Sequence, residues 1–317
     1  MKLAIQIPAL NEEKTIGTVI KSIPKHIEGI SKITVIVIND GSTDDTERIA
    51  KECGAIVVRH SKNKGVGKSF QDGLEKAIEL KSDILVNIDA DGQFDTKEIP
   101  KLIKPILKGE ADLVSGSRFI DPSYIPKNMP KVKQWGNKRV ANLISWATGE
   151  KFYDVSCGFR AYGKEAMLWM NLFGKFTYTQ ETLLDLSYKG LHIIEIPVTV
   201  QYFDGRVSRV AHSVFAYAFK AFNIIGRTVK DYHPLKFFGL TGLIVLLTGV
   251  GISIWVILHF LQTGSFHPYK IFGFLGAFLC STGIMIIFIG ILADLIDRVR
   301  VTEEKILYYE KRKSYEE

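Results

Sequence analysis

Short apolar runs rich in Ile and Val recur at residues 3–7, 33–38, 55–58, 84–88 and 113–114. Each is nearly continuous rather than alternating, the pattern of strands buried on both faces of a parallel sheet. Between them lie four stretches with helical spacing, at residues 13–23, 44–53, 68–80 and 96–107. Ser42 or Thr43 ahead of Asp44 and Asp45 marks one helix start, Thr96 caps the fourth helix, and Pro105 predicts that it ends early. Strand and helix in strict alternation predict an α/β domain with helices on both faces of a mostly parallel, Rossmann-like sheet. Sheets of that kind place ligands at the carboxyl ends of their strands.

Residues 119–139 break the rhythm with Pro122, Pro126 and Pro130 among Lys127, Lys131, Lys133, Lys138 and Arg139. They read as a mobile basic loop leading into a helix over 137–148. A strand over 193–201 follows, then a basic segment at 204–209. Residues 213–229 mix Phe215, Tyr217, Phe219, Phe222 and Ile225 with Lys220 and Arg227, which suits a helix in a membrane interface or one packed on the soluble domain.

Two long apolar runs come next. Residues 237–260 hold no charged side chain, and residues 271–295 hold only Asp294. Each exceeds the roughly 20 residues that a helix needs to cross a bilayer. Arg227, Lys230 and Lys236 precede the first run, Arg298, Arg300 and Lys305 follow the second, and the connection between them has only Lys270. The asymmetry predicts a multi-pass membrane protein with both termini cytoplasmic and residues 264–269 outside. The N-terminus, which enters a strand at once, lacks the pattern of a secretory signal. The expected organisation is a catalytic domain over 1–210, a juxtamembrane amphipathic segment over 211–236, two membrane helices over 237–297 and a cytoplasmic tail over 298–317.

A net charge of +7 is compatible with nucleic acid. Beside two membrane spans it points instead to anionic headgroups or an anionic substrate. Cys53, Cys157 and Cys280 match no metal spacing and read as reduced packing residues. His26, His60, His192, His212 and His233 have no ligand-like spacing, which argues against zinc. Gly65-Val66-Gly67-Lys68-Ser69 suggests a phosphate loop but lacks the earlier glycine, Lys62 standing there, so it reads as a turn and helix start.

The strongest chemical signal is Asn87-Ile88-Asp89-Ala90-Asp91-Gly92-Gln93. A buried strand ends in two carboxylates one residue apart, and a hard divalent cation takes oxygen ligands of this kind, with phosphate oxygens completing its shell. The first strand ends in Pro8-Ala9-Leu10-Asn11-Glu12-Glu13 and the second in Asn39-Asp40-Gly41-Ser42-Thr43-Asp44. Three strand ends thus carry acids and turn formers on one edge of the sheet.

On these motifs the whole chain resembles the family 2 glycosyltransferases of GT-A fold, and among them the polyprenyl-phosphate sugar transferases. The resemblance implies a fold of one GT-A domain followed by interfacial helices and two transmembrane helices. It implies that Pro8, Ala9, Asn11, Glu12, Asp40 and Asp89 contact the nucleotide. Asp89, Asp91 and Gln93 would hold Mg²⁺ or Mn²⁺. Arg118, in Gly116-Ser117-Arg118-Phe119, would meet the donor diphosphate. Asp154-Val155-Ser156-Cys157-Gly158-Phe159-Arg160 would line the sugar and acceptor site, with Glu181 an acid near the sugar. Asp91, Arg118, Asp154 and Glu181 are the catalytic candidates. Arg206, Ser208 and Arg209 resemble a late basic motif near the phosphates, although Arg206 and Arg209 stand where the family has Gly and Lys. With Lys131 and Arg139 they would bind diphosphate or acceptor.

The implied partners are a nucleotide-sugar donor, a polyprenyl phosphate acceptor and a lipid bilayer, with no nucleic acid and room for a homo-oligomer. The implied reaction inverts at the anomeric carbon. A processive polysaccharide synthase is the alternative enzyme, but the Gln-x-x-Arg-Trp pattern is absent and two spans make a poor polymer channel. A non-catalytic scaffold or transporter subunit would have lost the metal acids, which are intact.

Overall fold

A computed structural model describes residues 1–126, 128–171, 178–201 and 234–317. Two compact units divide the chain, Met1–Ile224 with Lys305–Glu317 and Ile225–Glu304.

The first unit is built on a seven-stranded sheet in the order β3-β2-β1-β4-β6-β5-β7. Its strands are β1 (Lys2–Ala9), β2 (Lys32–Asn39), β3 (Ile56–Arg59), β4 (Ile84–Asn87), β5 (Leu113–Ser117), β6 (Arg160–Gly163) and β7 (Ile193–Pro197). β1 pairs in parallel with β2 and β4, β2 with β3, and β5 with β7. β6 runs antiparallel between β4 and β5. The sheet is therefore mixed, and β6 is the strand that the apolar pattern missed. Its four residues, Arg-Ala-Tyr-Gly, are all buried but alternate charged, small and aromatic side chains, so no apolar run announces them.

Seven helices accompany the sheet among the described residues: α1 (Ile16–Ser22), α2 (Thr46–Glu52), α3 (Val66–Glu79), α4 (Ile99–Leu107), α5 (Lys131–Thr148), α6 (Lys164–Trp169) and α7 (Tyr178–Tyr188). Leu3, Ile5 and Ile7 of β1 are fully buried, as are Ile84 and Val86 of β4, with Ile16, Val19 and Ile20 of α1 and Leu102 and Ile103 of α4 packed over them. Fully burying each such side chain contributes about 1.5–3 kcal/mol.

Three local expectations change. The helix near residue 96 is capped by Asp95, whose side chain accepts from Lys97 N, while Thr96 Oγ1 donates to Ser22 O at 2.7 Å. α4 runs on through Pro105 to Leu107, because a proline this near the end removes one backbone donor without stopping the last turn. Residues 131–139 are helix, not loop: α5 begins directly after Pro130, whose fixed φ suits the entry to a helix.

The second unit contains α8 (Pro234–Thr263) and the first part of α9 (Lys270–Glu316). Both are long and apolar enough to cross a membrane. A Cβ on Gly242 would lie 2.8 Å from Gly283 O, and one on Gly249 would lie 2.8 Å from Gly276 O. The backbones meet through small residues, as expected where tight packing rather than water exclusion holds helices together. Around this seam the surface is apolar, with Leu240, Ile244 and Leu247 exposed on α8 and Phe274, Phe278 and Met285 on α9. Such a surface suits lipid, and the two helices point to membrane association.

The last residues of α9 belong to the first unit. Tyr308 stacks on Trp169 at 4.3 Å between ring centres and donates to Glu165 Oε2 at 2.9 Å. Lys311 Nζ donates to Met170 O and Asn171 Oδ1, both at 2.8 Å.

Candidate active site

The loops after β1 and β2 lock together through their own hydrogen bonds. Asn11 sits at φ +52°, a conformation most side chains avoid. Its Oδ1 accepts from Thr43 N at 2.8 Å, and its own N–H donates to Ser42 Oγ at 3.0 Å. Glu12 N donates to Thr46 Oγ1 at 2.8 Å and Glu13 N to Asp44 Oδ2 at 3.1 Å. Burial disfavours the Asp44 carboxylate, but its bonds from Thr46 and Glu13 outweigh that and hold its pKa below the usual value. Ser42 and Thr43, expected to start α2, serve this clasp instead. Gly41 adopts φ +77° with a Cβ position only 2.7 Å from the Lys62 backbone, so the loop after β3 closes against it.

Asp40 is buried, and its carboxylate secures that third loop. Its Oδ1 accepts from Lys64 N at 2.8 Å and its Oδ2 from Gly65 N at 2.9 Å. His60 Nδ1 lies 2.7 Å from Asp40 Oδ1, and His60 Nε2 lies 2.7 Å from Asp72 Oδ2. His60 is a member of the site that sequence reasoning set aside. Histidine spacing could not reveal it, because its partners come from the loop after β2 and from α3.

Asp89 and Asp91 follow β4 on the same edge, both half-buried. Asp91 Oδ1 accepts from Gln93 N at 3.0 Å. Asn87 Nδ2 donates to Gly158 O at 2.7 Å and to Tyr178 Oη at 2.9 Å, which brings the 154–160 segment and the start of α7 to the acids. A Cβ at Gly158 would stand 2.9 Å from Tyr178 Oη and 3.3 Å from Asp89 Oδ1, so a side chain there would crowd the carboxylate. Glu181 lies in the first turn of α7. Among the described residues no group of three or more His, Cys, Asp or Glu side chains is arranged to hold a metal ion by itself. Two carboxylates and an amide are hard oxygen donors, a set that fits a cation sharing its shell with phosphate oxygens and water.

Arg118, just past β5, is turned toward Asp154. Its Nε donates to Asp154 Oδ2 at 2.7 Å, and its Nη2 donates to Asp154 Oδ1 at 2.9 Å and to Ser156 Oγ at 2.8 Å. The side chains are 11% and 0% exposed. Burial opposes the Asp154 charge, but Arg118 more than compensates and lowers the carboxyl below its ordinary pKa. Asn137 of α5 ties in through Ser156 Oγ, which donates to its Oδ1 at 3.0 Å. Lys131 and Arg139 lie along α5, with Arg139 5.5 Å over the Trp135 ring. Arg206, Ser208 and Arg209, and most of the 211–236 segment, lie outside the described residues.

Glu195 of β7 supports the same segment by accepting from Tyr153 N at 2.7 Å and Asp154 N at 2.8 Å. Burial raises its carboxyl to about 7, the two N–H bonds offsetting only part of that and Asp154 adding to it. The folded value lies above the unfolded one, so the folded state holds the extra proton. Stability from this group is present at low pH and lost as pH rises from about 4.5 toward 7. Glu195→Gln should therefore flatten the decline of Tm across that window relative to wild type. A parallel decline in both proteins would show that Glu195 does not titrate there.

A Rossmann-like mixed sheet, three strand-end loops on one edge and a paired-acid turn define a domain of GT-A type. The profile of the family described as glycosyl transferase family 2 matches residues 4–168, more than half of the chain, and the chain belongs to that family. It is thus a glycosyltransferase. It is 34% identical over 223 residues, covering 64% of this chain and 87% of the other, to a UDP-N-acetylglucosamine–dolichyl-phosphate N-acetylglucosaminyltransferase of Methanococcus voltae. It is 26% identical over 220 residues, covering 63% of this chain and 83% of the other, to an undecaprenyl-phosphate mannosyltransferase of Micrococcus luteus. Its fold matches the crystal structure of Mycobacterium tuberculosis glucosyl-3-phosphoglycerate synthase with UDP at a TM-score of 0.56 and 24% identity, covering 72% of this chain and 80% of that one.

Proposed function

We propose that this glycosyltransferase moves one sugar from a nucleotide-sugar to a polyprenyl phosphate at the membrane surface, with inversion and a divalent cation. The observation that carries the reading is the edge where Asn11, Asp40, Asp89 and Asp91 are assembled, in a chain that also holds two apolar helices of membrane-spanning length. Relatives named for dolichyl- and undecaprenyl-phosphate acceptors support the acceptor class. The M. tuberculosis synthase was crystallised with Mn²⁺ or Mg²⁺ beside UDP, which supports the same type of cation here. Asp89 and Asp91, with Gln93, would hold that cation, which would neutralise charge on the leaving diphosphate.

An acceptor phosphate oxygen attacks the anomeric carbon as the bond from that carbon to the diphosphate breaks, releasing the nucleoside diphosphate. A phosphate monoester has a second pKa of about 6, so it is largely dianionic at neutral pH and gives up no proton on attack. The site then needs no strong general base. Asp154, wholly buried and paired with Arg118, is placed to shape the acceptor segment rather than to take a proton. In the same proposal Asp40 and its loop receive the nucleotide, and His60 is a positioning residue. His60→Ala strips a buried carboxylate of a partner, worth about 1–3 kcal/mol. It should raise the donor KM roughly tenfold while kcat changes less. An unchanged donor KM in a folded variant would remove His60 from the nucleotide site.

The proposed orientation places the catalytic unit and both termini in the cytoplasm, where nucleotide-sugars are available. In a chain freed of its three native cysteines, a reagent that cannot cross membranes should label a cysteine at Ser265 in intact cells but not one at Ser42. The opposite labelling would overturn the orientation. Donor and acceptor class are tested together by measuring nucleoside diphosphate release from a panel of nucleotide-sugars. One donor should respond strongly to added polyprenyl phosphate, and release that ignores the lipid would refute the acceptor assignment.

A further inference from the structure

Helix α5 turns one face to the core and leaves an unusual one outside. Asn137, Val140, Ala141 and Ile144 are its buried residues. Val132, Trp135, Arg139, Asn142 and Trp146 are all exposed. At about 100° per residue these five fall within an arc of roughly 80°, diametrically opposite the buried four. Trp135 is 57% exposed and Trp146 74%. Indole rings in open water forgo a large favourable burial, so two on one stripe call for a covering partner.

The charges say which partner. α5 carries Lys131, Lys133, Lys138 and Arg139 and no acidic residue. Arg139 lies between the two indoles along the stripe, with its guanidinium 5.5 Å over the Trp135 ring. A protein interface depletes charge at its centre. The headgroup layer of a bilayer does the reverse, offering phosphate to Lys and Arg at the depth where Trp settles. We propose that this face of α5 docks on the anionic lipid headgroup surface of the membrane, with Trp135 and Trp146 as its interfacial anchors. The inference rests on the membrane-anchored reading for the presence of a bilayer, but not on any catalytic step.

The test uses the full chain in phosphatidylglycerol-containing vesicles whose lipids carry bromine at shallow or deep acyl positions. The emission of each indole is obtained by difference between wild type and Trp135→Phe, Trp146→Phe or Trp255→Phe. The first two are surface positions whose change leaves the core alone, and Trp255, within α8, serves as the bilayer standard. Emission from Trp135 and Trp146 should be quenched more by shallow than by deep bromine and should be shielded from aqueous iodide. Lys138→Ala or Arg139→Ala should each lower the ratio of docked to undocked chains roughly fivefold, and removal of the anionic lipid should lower it further. The proposal fails if both indoles answer to iodide and ignore bromine while Trp255 is quenched, a result that leaves membrane anchoring intact. It fails equally if both are shielded from iodide yet untouched by bromine, since a second copy of the chain then covers the face. If Trp255 itself escapes bromine, the anchoring reading falls, and this inference with it.

Discussion

Asp91→Asn should reduce sugar transfer by roughly a thousandfold, the scale of losing several kcal/mol of charge stabilisation at the leaving diphosphate. The same loss should follow when excess chelator is added to wild type, and Mg²⁺ or Mn²⁺ should restore activity to wild type but not to the variant. Stability should barely change. Asp91 is half-buried, and its Oδ1 accepts from Gln93 N within its own turn. Asn keeps an oxygen in that place while removing the charge. Far-ultraviolet circular dichroism and Tm measured beside the rate would separate the two effects. Full activity in Asp91→Asn, or in the presence of chelator, would remove the cation from the mechanism.

Asp154→Ala should be the most destabilising single change near the site. It would strand the Arg118 guanidinium, whose Nε and Nη2 both donate to Asp154, and leave a largely buried charge without its counter-ion. Breaking a buried pair from one side costs about 3–5 kcal/mol. In a unit of this size that is a Tm loss on the order of 10 °C. Arg118→Met with Asp154→Leu should recover much of the stability, because the uncompensated charge is gone, but not the activity if Arg118 also meets the diphosphate. The pair has a pH signature too. Asp154 has a folded pKa below the ordinary carboxylate value, so its stabilisation is present above that ordinary value and is lost as pH falls through the lower folded one. The stability gap between wild type and Asp154→Ala should therefore narrow in acid. A gap independent of pH, or no gap at neutral pH, would contradict the pairing.

The apolar runs at 3–7, 33–38 and 84–88 are legible as strands because every side chain in them is buried or half-buried, and the acids after them are legible as one edge because parallel strands share an end. β6 was not legible. It is four residues long and centred on the fully buried Arg160 and Tyr162, whose burial depends on distant partners such as Thr182 and Phe70. α5 was half read. Its buried face starts at Asn137, and the turns before it bury no side chain, so Lys131 and Lys133 after three prolines look like loop in a sequence. Arg118 and Asp154 are both legible as site residues, but a sequence separation of 36 conceals that each is the other's chief partner. His60 was passed over for the same reason, since a histidine held by Asp40 and Asp72 shows no local spacing.

Passage of a single sugar to a polyprenyl phosphate is read out by mass spectrometry of the lipid product. The full chain in vesicles is given a nucleotide-sugar, polyprenyl phosphate and a divalent cation, and the lipid extract is analysed. The extract should contain a polyprenyl phosphate heavier by a single sugar residue, formed with wild type and absent with Asp91→Asn. A ladder of added sugars, or an acceptor left unmodified while donor is consumed, would contradict it.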